Sequence, residues 1–349
     1  MTTPIRAVAL LSTPLLATLL LAAAPAFADD TGQVRWPVGW KAGEVATYST
    51  ESIVRDRSKK GPSTRRTTDR TEIRTNEAGG SGHVLTWVTR DSRVEAVEGD
   101  RSMVDAIAPI LDKLDGMEIV IELDGDGRYR RVRNLQTLIA KVRATMLPVF
   151  AANLSKMFDD DPKISKADRG AIIKIAQDNL EASIDDIITP GSVETMSSEQ
   201  AKTMTAFVGK TLEVGKRYRD TEPMESPNEG RPLQADREYV LSLVDDDPTL
   251  ARIRWTHTLD TAGNAQSLWA LVDELTSGED KASVRKARPS DLALREEGVV
   301  VFRRDTGAVE MLETTETSRY GTMHDEHERF RMRRSGSART WAQEDAAKP

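Results

Sequence analysis

The chain of 349 residues contains no cysteine. That absence excludes disulfides, thiolate zinc sites, cysteine nucleophiles and iron–sulfur clusters. Histidine is scarce, with four residues, and aromatic residues make up only 5%. A sugar-binding cleft built on stacked aromatic rings has little material here. Neither sign of charge dominates: 49 Lys and Arg stand against 56 Asp and Glu, a formal net charge of -7. A mildly acidic chain with interspersed charges has no electrostatic reason to seek nucleic acid or anionic lipid. Gly-rich phosphate loops are absent. No stretch beyond the N-terminal segment has the roughly 18–20 apolar residues of an integral membrane span.

What is present begins with an export signal. Arg6 is the only charge before Asp29, and an apolar run extends from Ala7 to Ala24. Ala26-Phe27-Ala28 supplies the small-x-small pattern of a signal-peptidase site. Cleavage after Ala28 leaves a mature chain beginning at Asp29. A bacterial lipoprotein would need cysteine there, so the expected product is periplasmic, exported and not lipidated.

Two halves of the mature chain repeat one order of elements. Gly43 to Tyr48 and Gly215 to Tyr218 open them, and polar strands follow at residues 66–74 and 236–244. Each then has a strand centred on tryptophan. His83, Leu85, Trp87 and Thr89 share one face in the first. Ala251, Ile253, Trp255, His257 and Leu259 share one face in the second, the alternation of a half-buried strand. Amphipathic stripes at Val104, Ile107, Leu111, Leu114 and at Leu268, Leu271, Val272, Leu275 predict a short helix in each half. Hairpins turning at Asp124-Gly125-Asp126-Gly127 and Asp305-Thr306-Gly307 close the pattern.

Between the halves, a stripe from Leu135 through Val142 and Met146 predicts a helix that Pro148 kinks. A second is expected from Ser165 to Ile187, ended by Thr189-Pro190-Gly191, and a third over 198–208. The fold class expected is α+β: two antiparallel curved sheets, related by internal duplication and bridged by a helical insertion. The expected domains are a signal peptide (1–28), a first β-rich half (29–133), the insertion (134–209), a second β-rich half (210–334) and a disordered tail (335–349). Residues 57–63, 222–232 and 277–290 read as polar loops.

Few residues present themselves for chemistry. His324-Asp325-Glu326-His327 has metal-like letters, but its spacing of three departs from the four-residue helical pair, and a charged turn before a last strand at 329–333 accounts for it. His324 and His327 are therefore weak metal candidates, and no metal or cofactor is expected. His257, beside Trp255 on an apolar face, is either a satisfied core histidine or part of a cavity wall. Asp124 to Gly127 lacks the remaining ligands of a calcium loop. Ser283-Val284-Arg285-Lys286 matches a β-lactamase motif by letter only, without its partner motifs. Glu118 and Glu122 share a polar strand face. Trp36, Trp40, Trp87, Trp255 and Trp269 are the natural packing anchors.

Gly43 to Tyr48, Gly215 to Tyr218 and Ile121-Glu122-Leu123-Asp124-Gly125-Asp126-Gly127 carry a resemblance to a group of uncharacterised bacterial exported proteins. In shape, the pattern is similar to the β half-barrels of periplasmic lipoprotein carriers, which shelter acyl chains between a curved sheet and helices. The resemblance implies no catalytic residue. The leading expectation is a non-catalytic periplasmic protein that binds a lipid-like or other apolar or amphipathic ligand, or an envelope partner. Leu85, Trp87, Ile253, Trp255 and His257 would then line the cavity. A solid-cored scaffold that recruits an envelope protein is the alternative, and a hydrolase with a carboxylate or histidine site is the third.

Overall fold

The computed structural model describes residues 32–58, 61–99, 101–159, 188–224, 233–259, 292–320 and 324–346, with isolated positions at 174, 184 and 264. The signal segment, the expected helices at 165–187 and 268–275, Trp269 and the Ser283 motif lie outside the described residues.

The strands are β1 (Gln33–Arg35), β2 (Val45–Ser58), β3 (Gly61–Gly79), β4 (Gly82–Glu98), β5 (Glu118–Leu123), β6 (Tyr129–Val132), β7 (Thr211–Glu213), β8 (Arg217–Met224), β9 (Leu233–Val244), β10 (Asp247–Leu259), β11 (Leu292–Arg303), β12 (Val309–Tyr320) and β13 (His324–Arg334). The helices are α1 (Ser102–Leu114), α2 (Leu135–Asp159), α3 (Pro190–Thr205) and α4 (Trp341–Ala346).

Eleven strands form one antiparallel sheet in the order β6-β5-β4-β3-β2-β13-β12-β11-β10-β9-β8, and β1 pairs with β7 in a separate two-stranded ribbon. The expectation of two sheets is thereby corrected. β13 pairs with β2 from Glu326↔Asp56 to Arg334↔Tyr48, which joins the halves edge to edge. The fold is mostly β, with a large antiparallel sheet and few helices among the described residues.

The sheet curls. Residues 207 and 208 are neighbours in the chain, yet Phe207 packs on Tyr239 of β9 and Trp255 of β10, with ring centroids 5.1 and 5.6 Å away. Val208 lies against Gly127, in the turn between β5 and β6 at the other flank. In a flat sheet those flanks would stand roughly 35 Å apart at about 4.8 Å per strand. The end of α3 therefore sits inside a curved sheet that wraps it from both sides. Its concave face gathers Tyr48, Ile73, Leu85, Trp87, Ile121, Leu123, Leu241, Ile253, Trp255, Val300, Phe302, Leu312 and Met332 into one core with Met204, Phe207, Val208 and Leu212. Trp36 stacks flat on Phe302 at 4.1 Å and donates its indole N–H to the Gly307 carbonyl at 3.0 Å.

Local chemistry explains the helix starts. Thr189-Pro190-Gly191, expected to end one helix, also begins α3, which starts at Pro190 rather than at the expected 198. Thr189 Oγ1 accepts from the Ser192 N–H at 3.1 Å, the Ser192 hydroxyl accepts from the Thr189 N–H at 3.0 Å, and Pro190 fills the first turn, where no N–H is needed. Residues 335–346, expected as a disordered tail, carry α4, whose Glu344 is buried. The segment 324–327, expected as a turn, is the first part of β13, and the loop expected at 57–63 is largely the β2–β3 hairpin. The open edges are blunted. On β6, Thr205 Oγ1 and Glu194 Oε1 accept from the N–H groups of Tyr129 and Val132. β8 presents the exposed Arg217 and Arg219.

Gly298 is obligatory in this packing. It faces Trp255 across the β10–β11 pair, and a Cβ there would lie 1.9 Å from the indole ring. Gly298→Ala must therefore displace Trp255. The expected loss is about 1–3 kcal/mol from overpacking, read as a lower urea midpoint, with reduced indole burial by fluorescence. An unchanged midpoint would contradict this packing.

Candidate functional site

Antiparallel register places one residue of each strand in a row across the concave face. One row carries most of the charge. Asp220 (β8) faces Arg237 (β9), Arg237 faces His257 (β10), His257 faces Glu296 (β11), Glu296 faces Glu316 (β12) and Glu316 faces Glu328 (β13). Val54 of β2 ends the charged run. Period-two alternation puts this row one pleat beyond the apolar floor: His257 follows Trp255, Glu296 precedes Gly298 and Val300, and Glu328 precedes Phe330 and Met332.

The row is organised by hydrogen bonds at its β8–β11 end. Both arms of Arg237 donate to Asp220 at 2.7 Å, and Arg237 also pairs with Glu222. Trp255 Nε1 donates to Glu296 Oε1 at 2.9 Å. His257 stands between two carboxylates, with Nδ1 3.5 Å from Glu296 and Nε2 3.6 Å from Glu222. Burial alone would raise the Glu296 pKa, but the His257 and Trp255 hydrogen bonds outweigh it and hold the carboxyl below its ordinary range. Two cations roof the aromatic end. Lys210 Nζ lies 5.2 Å from the Phe207 centroid and 5.0 Å from that of Tyr239, and the Arg237 guanidinium lies 5.7 and 5.4 Å from the same rings. Burial, then Arg237, pushes the Lys210 pKa down.

At the β12–β13 end, like charges meet. The surrounding protein desolvates Glu316, and Glu199, Glu296, Glu328 and Glu326 repel its charge, pushing its pKa up to about 7. Glu199 of α3 is shifted upward by desolvation, then by Glu328 and Glu296, with Lys202 opposing. Ser52 donates to Glu328 at 2.9 Å. Directly opposed carboxylates in a sheet are destabilising unless one holds a proton, and Glu316 is that one.

The residues singled out from the sequence fall as follows. Leu85, Trp87, Ile253 and Trp255 are all on the concave face and at most 5% exposed, and they belong to one packed core. His257 is half-buried within the charged row. His83, on the Trp87 face, is buried, and burial lowers its pKa, with the Gly125 backbone and Asp124 offsetting part. His327 faces Thr317 and Arg55, one residue out of phase with Glu328 and so on the convex side. His324 pairs with Tyr320. No group of three or more His, Asp or Glu among the described residues is arranged to hold a metal ion. The cleft beside Tyr48, lined by Trp40, Ile73, Gly307 and Arg334, has a volume of about 20 Å³, room for roughly one water. Sequence reasoning missed Arg237, Glu296, Glu316, Glu328, Glu199 and Lys210. Strict alternation from Phe302 back through Val300 and Gly298 would have exposed Glu296.

A carboxyl whose native pKa lies above its unfolded 4.5 makes the native state the better proton binder between those values. The stability that Glu316 contributes is complete below about pH 4.5 and is lost as pH rises through about 7. Urea midpoints are therefore expected to fall across that window. Glu316→Gln, which cannot ionise, is expected to flatten the fall and to exceed the parent in stability above pH 7. A slope of equal size in the variant would assign the effect elsewhere.

Comparison with known proteins gives little by sequence: no protein-family model matches, and no curated protein matches. Among solved structures the chain is similar to one described as "Lipid-protein interactions in lipovitellin", with a TM-score of 0.42 and 8% identity. The similarity covers 86% of this chain and 26% of that one, so the chain spans about a quarter of that protein's length. No helix of the described residues is long and apolar enough to cross a membrane.

Proposed function

We propose that the chain is an exported, non-catalytic binding protein of the periplasm that holds an amphipathic molecule on the concave side of its sheet. The observation that carries this reading is the division of that face into two zones. An apolar floor ends at Trp255 and Phe330, and one pleat further lies the row from Arg237 to Glu328. Such a boundary suits a ligand with an oily part and a polar part. Among the described residues the floor is covered by the end of α3 and by the two-stranded β1–β7 ribbon, which is separate from the large sheet. Phe207 is the side chain of that cover lying on Trp255 and Tyr239. Export rests on residues 1–28 as read above.

The halves also support a duplicated origin bridged by the helical segment. β2 to β6 and β8 to β12 each run as an unbroken meander, and the two meanders lie in the sheet in the same sense, with β13 between them.

A second reading, a solid-cored scaffold that recruits an envelope protein, is favoured by the tight closure of Phe207 on Trp255 and by the 20 Å³ size of the Tyr48 cleft. One experiment separates the two. Organic extraction of the purified chain followed by mass spectrometry is expected to release an amphipathic molecule. The delipidated chain is expected to take up a fluorescent acyl probe. Phe207→Ala is expected to cost about 3–5 kcal/mol of stability while increasing uptake, because the vacated space opens onto the floor. A folded Phe207→Ala chain that takes up no probe, together with an empty extract, would leave the scaffold.

A further inference from the structure

The charged row of the concave face ends, on the β8–β10 side, against an aromatic cluster. Phe207 packs on Tyr239 and Trp255, and Tyr218 stacks on Tyr239 with ring centroids 5.2 Å apart. Lys210, in the connection between α3 and β7, stands over this cluster. Its ammonium lies 5.2 Å from the Phe207 centroid and 5.0 Å from that of Tyr239, and among the described residues it forms no ion pair. Asp220 and Glu222 attract its charge, but both are already paired with Arg237. Arg237 and Arg128 repel it. Arg128 itself has no carboxylate partner among the described residues, only a 3.5 Å contact from its Nε to the Val208 carbonyl.

Tyr239 adds a second unanswered donor. The residue is 7% exposed, yet its hydroxyl has no hydrogen-bond partner among the described residues. A buried tyrosine hydroxyl ordinarily finds one. Burial, then Asp220, pushes its pKa up, so at neutral pH the group is an O–H donor. A half-buried ammonium and a buried phenol on one aromatic patch share a single deficit, an acceptor with negative charge. The other end of the row answers its own charges. Glu296 accepts from Trp255, Glu328 accepts from Ser52, and Glu316 takes up a proton.

We propose that Lys210 and Tyr239 form the head-group site for an anionic amphipathic ligand, a carboxylate or phosphate monoester whose chain runs onto the apolar floor past Trp255. The inference rests on the binding role proposed above and assigns the charge of the ligand. The formal net charge of -7 gives an anion no long-range attraction, so recognition is local. Arg128 adds a cation beside Lys210. Arg237, already paired twice, contacts the same Phe207 and Tyr239 rings and keeps the aromatic patch in place.

The test measures uptake by the delipidated full chain at neutral pH with dodecanoate, dodecanol and dodecylamine, which share one tail. Dodecanoate is expected to bind about tenfold tighter than dodecanol, the worth of one charge-assisted hydrogen bond, and dodecylamine no tighter than dodecanol. Lys210→Met keeps an apolar stem on the rings and removes the charge. It is expected to lose the tenfold preference with dodecanol binding unchanged, and Lys210→Arg is expected to retain it. Excess acetate is expected not to displace dodecanoate, because the tail is held by the floor; displacement by acetate overturns the amphipathic assignment. Equal binding of dodecanoate and dodecanol, a preference for the amine, or an undiminished preference in Lys210→Met overturns the inference and leaves the binding role standing. A folded chain that takes up none of the three probes overturns both.

Discussion

An antiparallel sheet of eleven strands has two flanks whose oily side chains stay dry only if the sheet curls around something. Here that something is the chain between α3 and β7. Phe207 reaches Trp255 and Tyr239 on one flank while Val208 meets Gly127 on the other. Two adjacent residues thus bridge the two flanks of the curled sheet. Much else follows from their position. Gly298 must lack a side chain so that Trp255 can lie flat enough to meet Phe207. The Gly39 and Gly307 backbones must touch so that Trp36 can stack on Phe302 beneath it; a Cβ on either would lie 2.1 Å from the other segment's carbonyl oxygen.

The same curvature concentrates charge. Residues that a flat sheet would expose to open water are brought under the walls of a trough, where Coulomb interactions are less screened. Arg237 is stabilised there by Asp220 and Glu222, and Glu296 by Trp255 and His257. Glu316 of β12 and Glu328 of β13 show no ion pair with a cation among the described residues. Glu316, in the centre with a carboxylate on either side and Glu199 of α3 adding to the repulsion, takes up a proton near neutrality. The trough is thus polarised along its length, with ion pairs near β8 and a carboxyl that favours its protonated form on β12.

Much of this was legible from residue alternation. The tryptophan strands, their apolar faces, the Asp-Gly hairpins and the first helix all follow from period and turn chemistry. Three things were not. The union of the halves depends on β13 pairing with β2, a contact between residues some 270 positions apart, and nothing local in Arg329-Phe330-Arg331-Met332 names its partner strand. The glutamate row is a property of register, invisible while each strand is read alone. Residues 335–349 were composed like a free tail, since Trp341 is the one large apolar side chain among small and polar residues there. The ordering of α4 comes from arginines on β10 and β13 that no local pattern connects to Glu344.

The two faces of the sheet are not independent. In β10, Arg252 on the convex side lies between Ala251 and Ile253 on the concave side, and in β13, Arg331 lies between Phe330 and Met332. A strand holds one side chain in place only by holding its neighbours, because successive Cβ atoms share one backbone. Anchoring Arg252 and Arg331 to α4 therefore restrains the strands that carry Ile253, Trp255, Phe330 and Met332, which form the floor of the concave face. With α4 bound, strands β10 to β13 are tied from behind across a span of four, and the curl that Phe207 and Val208 bridge from the front is supported on its outer side. The chain's own last helix, packed on the convex side, thus bears on how firmly the concave face keeps its shape.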